Sequence, residues 1–140
     1  MFTISTRLRY GLLALIAVAE GGSGGPVRLG GVADHLGISF KYLENIFKLL
    51  KKGGIVRGTR GPDGGYVLAK PAETLRLDEI FVALEGALVE VECLEAEAVC
   101  GKLELCPVRS LWQDFHGVVE GFLMKRTLRE IMDRTHESPD

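Results

Sequence analysis

Residues 29–68 read LGGVADHLGISFKYLENIFKLLKKGGIVRGTRGPDGGYVL, two short helical patterns that lead directly into a glycine-rich hairpin. That order predicts a winged helix-turn-helix. Val32, Ala33 and Leu36 fall on one face of a first helix, and Gly37 supplies the left-handed residue that stops it without a Cβ clash. Ser39 is placed to cap the second helix. Its Leu43, Ile46, Phe47 and Leu50 recur at helical spacing as one apolar stripe, while Lys41, Glu44, Asn45, Lys48, Lys51 and Lys52 fall elsewhere on the wheel. One face is for a core and the other for a partner. Gly53 and Gly54 close the helix, and Ile55 to Arg60 and Tyr66 to Ala69 are predicted to pair around Gly61, Pro62, Asp63 and Gly64. Arg57 and Arg60 put two cations on that wing, within reach of a phosphate backbone or a narrow minor groove.

The fold class expected is mostly α with a small β wing: a winged helix-turn-helix domain at 1–86, a cysteine loop at 87–106, and a long dimerisation helix with a short last helix at 107–140. A chain of 140 residues, 46% hydrophobic and 26% charged, can bury a real core and has no compositional sign of disorder. The net charge of -2 conceals an asymmetry. Ten basic residues face four acidic ones up to Lys70, and seven face fifteen thereafter. The basic half suits a polyanion, and the acidic half should turn away from it.

Arg7 and Arg9, followed by the apolar run Leu12 to Val18 and Ala17-Val18-Ala19, imitate a secretory signal. The reading taken is a buried first helix in a cytoplasmic protein, with Leu8, Leu12, Leu15, Ile16 and Ala19 as its core stripe and Ser5 as its cap. No segment is long enough to span a membrane. Gly21 to Gly25 reads as a flexible turn, and Pro26 to Leu29 as a short strand beside the wing. Beyond the wing, Pro71 ends the strand, and Leu77, Ile80, Phe81 and Leu84 mark a helix that Gly86 terminates.

Leu88 to Val91 then lead to Cys93, Cys100 and Cys106, all the cysteines of the chain. An odd count argues against a disulfide framework. Structural zinc wants four ligands and closer pairs. Three thiolates plus one other ligand suit an iron-sulfur cluster, and three reduced structural thiols stand beside it as the plain reading. Next comes the longest helix, with Cys106 at its cap and Pro107 at its first position. Val108, Leu111, Trp112, Phe115, Val118, Val119 and Phe122 make an apolar stripe along it, and no second helix of that length is evident in the sequence. A homodimer in which this helix packs on its copy covers the stripe; packing on the chain's own first helix is the other solution. Thr127 and Glu130 form a capping box for a last helix through Leu128 and Ile131, with Arg134 to Asp140 as a frayed tail.

Taken together, these residues resemble the bacterial winged-helix regulators typified by IscR and NsrR, the Rrf-two family. The shared features are Arg9-Tyr10, Ile38-Ser39 with Tyr42-Leu43-Glu44, Arg60-Gly61-Pro62, Gly64-Gly65-Tyr66, Leu111-Trp112 and Gly121-Phe122-Leu123. The resemblance implies a dimeric repressor or activator, with repressor the reading taken, that binds double-stranded DNA at a pseudo-palindromic operator. It puts Ser39, Lys41, Tyr42 and Glu44 in the major groove and Arg60 in the minor groove; the basic helix face and the wing add Lys48, Arg57 and Gly61 to the expected DNA-binding set. It also makes Cys93, Cys100 and Cys106 the ligands of a 2Fe-2S or 4Fe-4S cluster. In IscR-like members a histidine three residues after the third cysteine completes the set, and here that position is Arg109. In NsrR-like members an aspartate on the partner's first helix does so, and the matching position is Arg9. His116 lies ten residues beyond Cys106, about 15 Å along a helix, too far to join the same cluster within one chain. Glu92, Glu95, Glu97, Glu104, a first-helix group of the partner, or a water or small thiol remain for the fourth position.

Glu44 has two roles open to it, accepting from a cytosine amine or pairing with Lys48 four residues on. No catalytic constellation is evident. The three histidines are scattered, no serine sits in a nucleophile motif, and the wing glycines precede a strand rather than a phosphate-binding helix. Besides the cluster-dependent regulator, two readings stand: a cluster-free regulator whose thiols sense oxidants or bind a metal, and a cluster carrier or small redox protein whose winged domain does not bind DNA.

Overall fold

The computed structural model describes residues 3–88 and 106–136, without the side chains of the last two. At the centre lies α1 (Thr6–Gly21), capped by Ser5, whose hydroxyl oxygen accepts the Leu8 N–H at 3.0 Å. α2 (Leu29–Leu36) and α3 (Phe40–Lys52) follow, then strands β1 (Val56–Thr59) and β2 (Gly65–Leu68), then α4 (Leu77–Glu85), α5 (Pro107–Met124) and α6 (Leu128–His136). α1 packs against α2, α3, α4 and β2, so its Ala14, Leu15 and Val18 are sealed from water on several sides. Gly11 permits the approach of α4: a Cβ there would stand 2.6 Å from Leu84 Cδ1.

With 16 residues α1 is nearly as long as the 18-residue α5, so the chain does hold a second long helix. Its apolar face, apart from the exposed Leu13, is taken up by the winged domain. The glycine run after it forms a single tight turn of 3-10 type at Gly22–Gly24. Of the strand expected at 26–29, only Val27 pairs, exchanging both backbone hydrogen bonds with Tyr66 at 2.9 and 2.8 Å. Leu29 leaves the sheet because burial draws it into the first turn of α2.

The wing is an antiparallel pair in the register Val56↔Leu68 to Thr59↔Gly65. Gly61, at φ 107°, and a Gly64 N–H donated to the Gly61 carbonyl at 2.9 Å close its tip. The Ala69 N–H still reaches the Ile55 carbonyl at 2.9 Å, so pairing fades at the predicted start. α4 ends at Gly86, φ 85°, as the sequence predicts.

The C-terminal segment docks through its last helix, and residues 137–140 of the expected frayed tail lie outside the described residues. Leu77 N–H donates to the Arg126 carbonyl at 3.0 Å and Leu128 N–H to the Leu75 carbonyl at 2.9 Å, and Leu128 and Met132 enter the core. Arg134 to His136, expected in a tail, continue α6 because that helix is anchored from its first residue.

The apolar face of α5 divides lengthwise. Leu123 is buried, Val119 packs on the core, and Phe115 and Val119 border a cavity of about 460 Å³ with Leu8, Phe81 and Leu88. Leu111, Val118 and Phe122 remain 57%, 70% and 51% exposed, and Val108 is exposed with them. Trp112 is half-buried. The flank that packs on the chain's own domain meets α4 rather than α1 as its main neighbour.

Glu85, the last residue of α4, ties that helix to the start of α1 by accepting from the Ser5 hydroxyl and, at 2.6 Å, from the Arg7 guanidinium. Burial alone would raise its carboxyl pKa. The hydrogen bonds from Ser5 and Arg7 outweigh it and hold the group below the ordinary carboxylate value. A depressed carboxylate contributes stability above its unfolded value, and that contribution disappears as pH falls through the folded value. Glu85→Gln should therefore cost about 0.5–1 kcal/mol at neutral pH, a modest figure because Arg7 is partly solvated, and a smaller amount at about pH 3. Urea unfolding of both proteins at the two pH values checks this, and an equal deficit at both would contradict it.

Candidate nucleic-acid interface

The outward face of α3 is set by its inward one. Leu43, Ile46, Phe47 and Leu50 are each at most 1% exposed, so the helix cannot rotate without drawing apolar area into water. Gly37, left-handed at φ 70°, turns the chain from α2 into α3, and the Ser39 hydroxyl accepts the Tyr42 N–H at 3.1 Å to cap the new helix. With the stripe buried, Lys41, Asn45, Lys48 and Lys52 lie exposed on the opposite side, Lys51 on the flank. Glu44 is half-buried, and its carboxylate stands 4.0 Å from Lys48 Nζ, so the intrahelical pair is formed.

Tyr42 is half-buried because its ring meets Tyr10 of α1 edge to face, with centroids 6.4 Å apart and planes at 87°. The Arg9 guanidinium lies 4.8 Å above the Tyr10 ring. An aromatic contact thus fixes the first turn of α3 against α1, which the sequence motifs alone did not connect.

The wing is fixed to α3 from beneath by Phe47 and Tyr66, whose ring centroids are 5.0 Å apart. Arg60 and Gly61 are exposed at its tip. Strand alternation separates Arg57 from α3: Gly58 faces Lys51 and the Tyr66 ring, whereas Arg57 points to the other side and borders a cleft with Val18, Ala19, Lys70 and Pro71. Ser39, Lys41, Tyr42, Glu44 and Lys48 therefore share one helix with Arg60 and Gly61 on the adjoining wing, and Arg57 stands behind. The arrangement is a ridge of cations and hydrogen-bonding groups, suited to a grooved polyanion.

One residue of this surface escaped the sequence reading. Phe40, the first residue of α3, belongs to neither the core stripe nor the polar set and is 52% exposed. On a helical wheel it falls in line with Leu43 and Phe47, so spacing alone reads it as core, and only its exposure at the open end of the helix sets it apart.

Of the cysteines, Cys106 is described, half-buried at the N-cap of α5 with Pro107 at the first position as expected. Cys93 and Cys100 lie outside the described residues, as do Glu92, Glu95, Glu97 and Glu104. His116 is half-buried on α5, its Nδ1 3.8 Å from the Glu120 carboxylate, in keeping with an ordinary helix histidine.

The profile of the Rrf2 family, described as iron-dependent transcriptional regulators, matches residues 4–134. The HTH-type transcriptional regulator IscR of Escherichia coli O1:K1 is 31% identical over 97% of this chain and 90% of that protein. Among solved structures, CymR of B. subtilis, called the global cysteine regulator of that organism, superposes with a TM-score of 0.78 at 32% identity, covering 96% of this chain and 98% of the other. IscR of T. potens gives 0.77 at 29% identity, with 97% and 90% covered.

Proposed function

Because this chain belongs to the Rrf2 family of transcriptional regulators, we propose that it reads a pseudo-palindromic operator in double-stranded DNA as a homodimer, under the control of an iron-sulfur cluster held by Cys93, Cys100 and Cys106. The observation that carries the DNA reading is the fixed setting of α3, whose buried stripe and Ser39 cap present Lys41, Asn45 and Lys48 outward beside Arg60 on the wing. The first turn of α3 enters the major groove, where Ser39, Lys41 and Tyr42 bond to phosphates and base edges. Glu44, drawn to Lys48 in the free protein, accepts from a cytosine amine and repels misplaced phosphates. Arg60, with Gly61 allowing close backbone approach, enters the adjoining minor groove, and Arg57 adds long-range attraction from behind the wing.

The exposed flank of α5, Val108, Leu111, Val118 and Phe122, supplies the surface on which a second copy packs, with Trp112, Phe115 and Val119 bridging from that flank to the chain's own core. In this reading residues 1–86 bind DNA, 87–106 hold the cluster and 107–140 dimerise. Three thiols match the donor preference of iron-sulfur clusters. Cys106 fits the role in its position: it is half-buried at the N-terminus of α5, where the helix dipole favours an anionic group. Bound there, a cluster supplies a centre sensitive to redox state and iron supply. The likeness to CymR supports a second reading, in which the thiols themselves respond without a cluster.

Lys41→Ala and Arg60→Ala should each weaken binding to an operator-containing duplex and reduce the slope of log affinity against log salt by about one. Fluorescence anisotropy across a salt series reads both, and unchanged slopes in both variants would remove this surface from DNA contact. Sequence-specific binding also excludes the carrier reading. Anaerobically purified protein should be brown, with iron and sulfide in fixed ratio to chain, and Cys100→Ala colourless with a DNA affinity no longer dependent on iron supply. A colourless wild type with intact thiols after reconstitution would transfer the regulation to the cluster-free reading.

A further inference from the structure

Phe40 occupies the first position of α3, between the capping Ser39 and the exposed Lys41, and about half of its surface faces water. No other ring stacks on it among the described residues. Neither fold nor helix accounts for it. The buried core leaves it out, the cap is made by Ser39, and an aromatic residue is only a middling helix former. An apolar side chain exposed among Lys41, Glu44 and Lys48 therefore calls for an apolar target on a surface otherwise built for a polyanion.

The major groove offers one such target. Every base edge there presents hydrogen-bonding groups, and thymine alone adds a methyl group, at C5. The first turn of a recognition helix is the part that approaches base edges most closely, and Phe40 opens that turn. Glu44 lies four residues on along the same flank, about 6 Å away along the axis, which suits an adjacent or next-but-one base. We infer that Phe40 is a specificity-determining residue whose ring covers the C5-methyl group of a thymine in each half-site of the operator.

The inference rests on the DNA reading proposed above, and the test separates the two. Duplexes are selected from a random-sequence pool with the full-length protein, and each thymine of the best binder is replaced in turn by uracil, which removes only the methyl group. Burial of one methyl group corresponds to about a fourfold change in affinity. One symmetry-related thymine in each half-site should show that loss with the wild type, and about fifteenfold when both carry uracil. Phe40→Ala should bind the thymine and uracil duplexes equally, while Phe40→Leu keeps part of the discrimination. Because the side chain lies outside the core, thermal unfolding of Phe40→Ala should match the wild type, which separates lost reading from lost fold. An enriched duplex on which wild type and Phe40→Ala give the same uracil scan overturns the inference and leaves the DNA reading standing. Failure of any sequence to enrich overturns both.

Discussion

Everything in the winged half depends on the burial of four side chains on one face of α3: Leu43, Ile46, Phe47 and Leu50. Each contributes about 1.5–3 kcal/mol when removed from water, so rotating the helix by even a third of a turn would cost most of what holds a small domain together. The exposed face is consequently as fixed as the buried one. α1 supplies the counter-surface with Ala14, Leu15 and Val18, and Gly11 lets α4 close in from the other side. Phe47 and Tyr66 extend the same core under the wing, so that helix and hairpin move as one body.

The second half answers a different demand. α5 gives one flank to its own domain through Leu123, Val119 and Phe115, and leaves Val118, Leu111 and Phe122 in water. An apolar row of that length on a solvated helix is the surface on which we propose that a second copy packs, and the acidic balance of the C-terminal half would be repelled by the polyanion proposed for the N-terminal half. Cys106 stands at the head of α5, half-buried at its N-cap.

Much of this was readable from residue spacing. Gly37, Ser39 and Gly86 did what backbone sterics and capping demand, and the α3 stripe followed from helical periodicity, as did Leu8, Leu15 and Ile16 of α1; Leu12 and Ala19 are only partly buried, and Ala14 and Val18 take the core places instead because α1 is packed on several sides. Departures arose where tertiary contacts decide. Periodicity could not tell that Leu29 belongs to α2 rather than to a strand, because both placements bury it. The strand pattern put two arginines on the wing but not which side each faces, and that depends on the register set by Val56↔Leu68. The anchoring of Leu128 by the Leu75 carbonyl lengthened α6 beyond its composition, which alone reads as a tail. The Tyr10 and Tyr42 contact joins residues 32 positions apart, beyond the range of any local pattern. The cysteine loop was conspicuous as chemistry, but three spaced thiols do not specify a fourth ligand.

Two α3 helices related by a dyad can reach successive major grooves only if they lie about one helical turn, roughly 34 Å, apart. Hydroxyl-radical footprinting of the protein on its selected duplex tests that geometry directly. Two protected patches related by symmetry and centred about one turn apart are expected, with added minor-groove protection where each Arg60 enters. A single patch, or protection that persists when the α3 cations Lys41 and Lys48 are both replaced by alanine, would contradict the account.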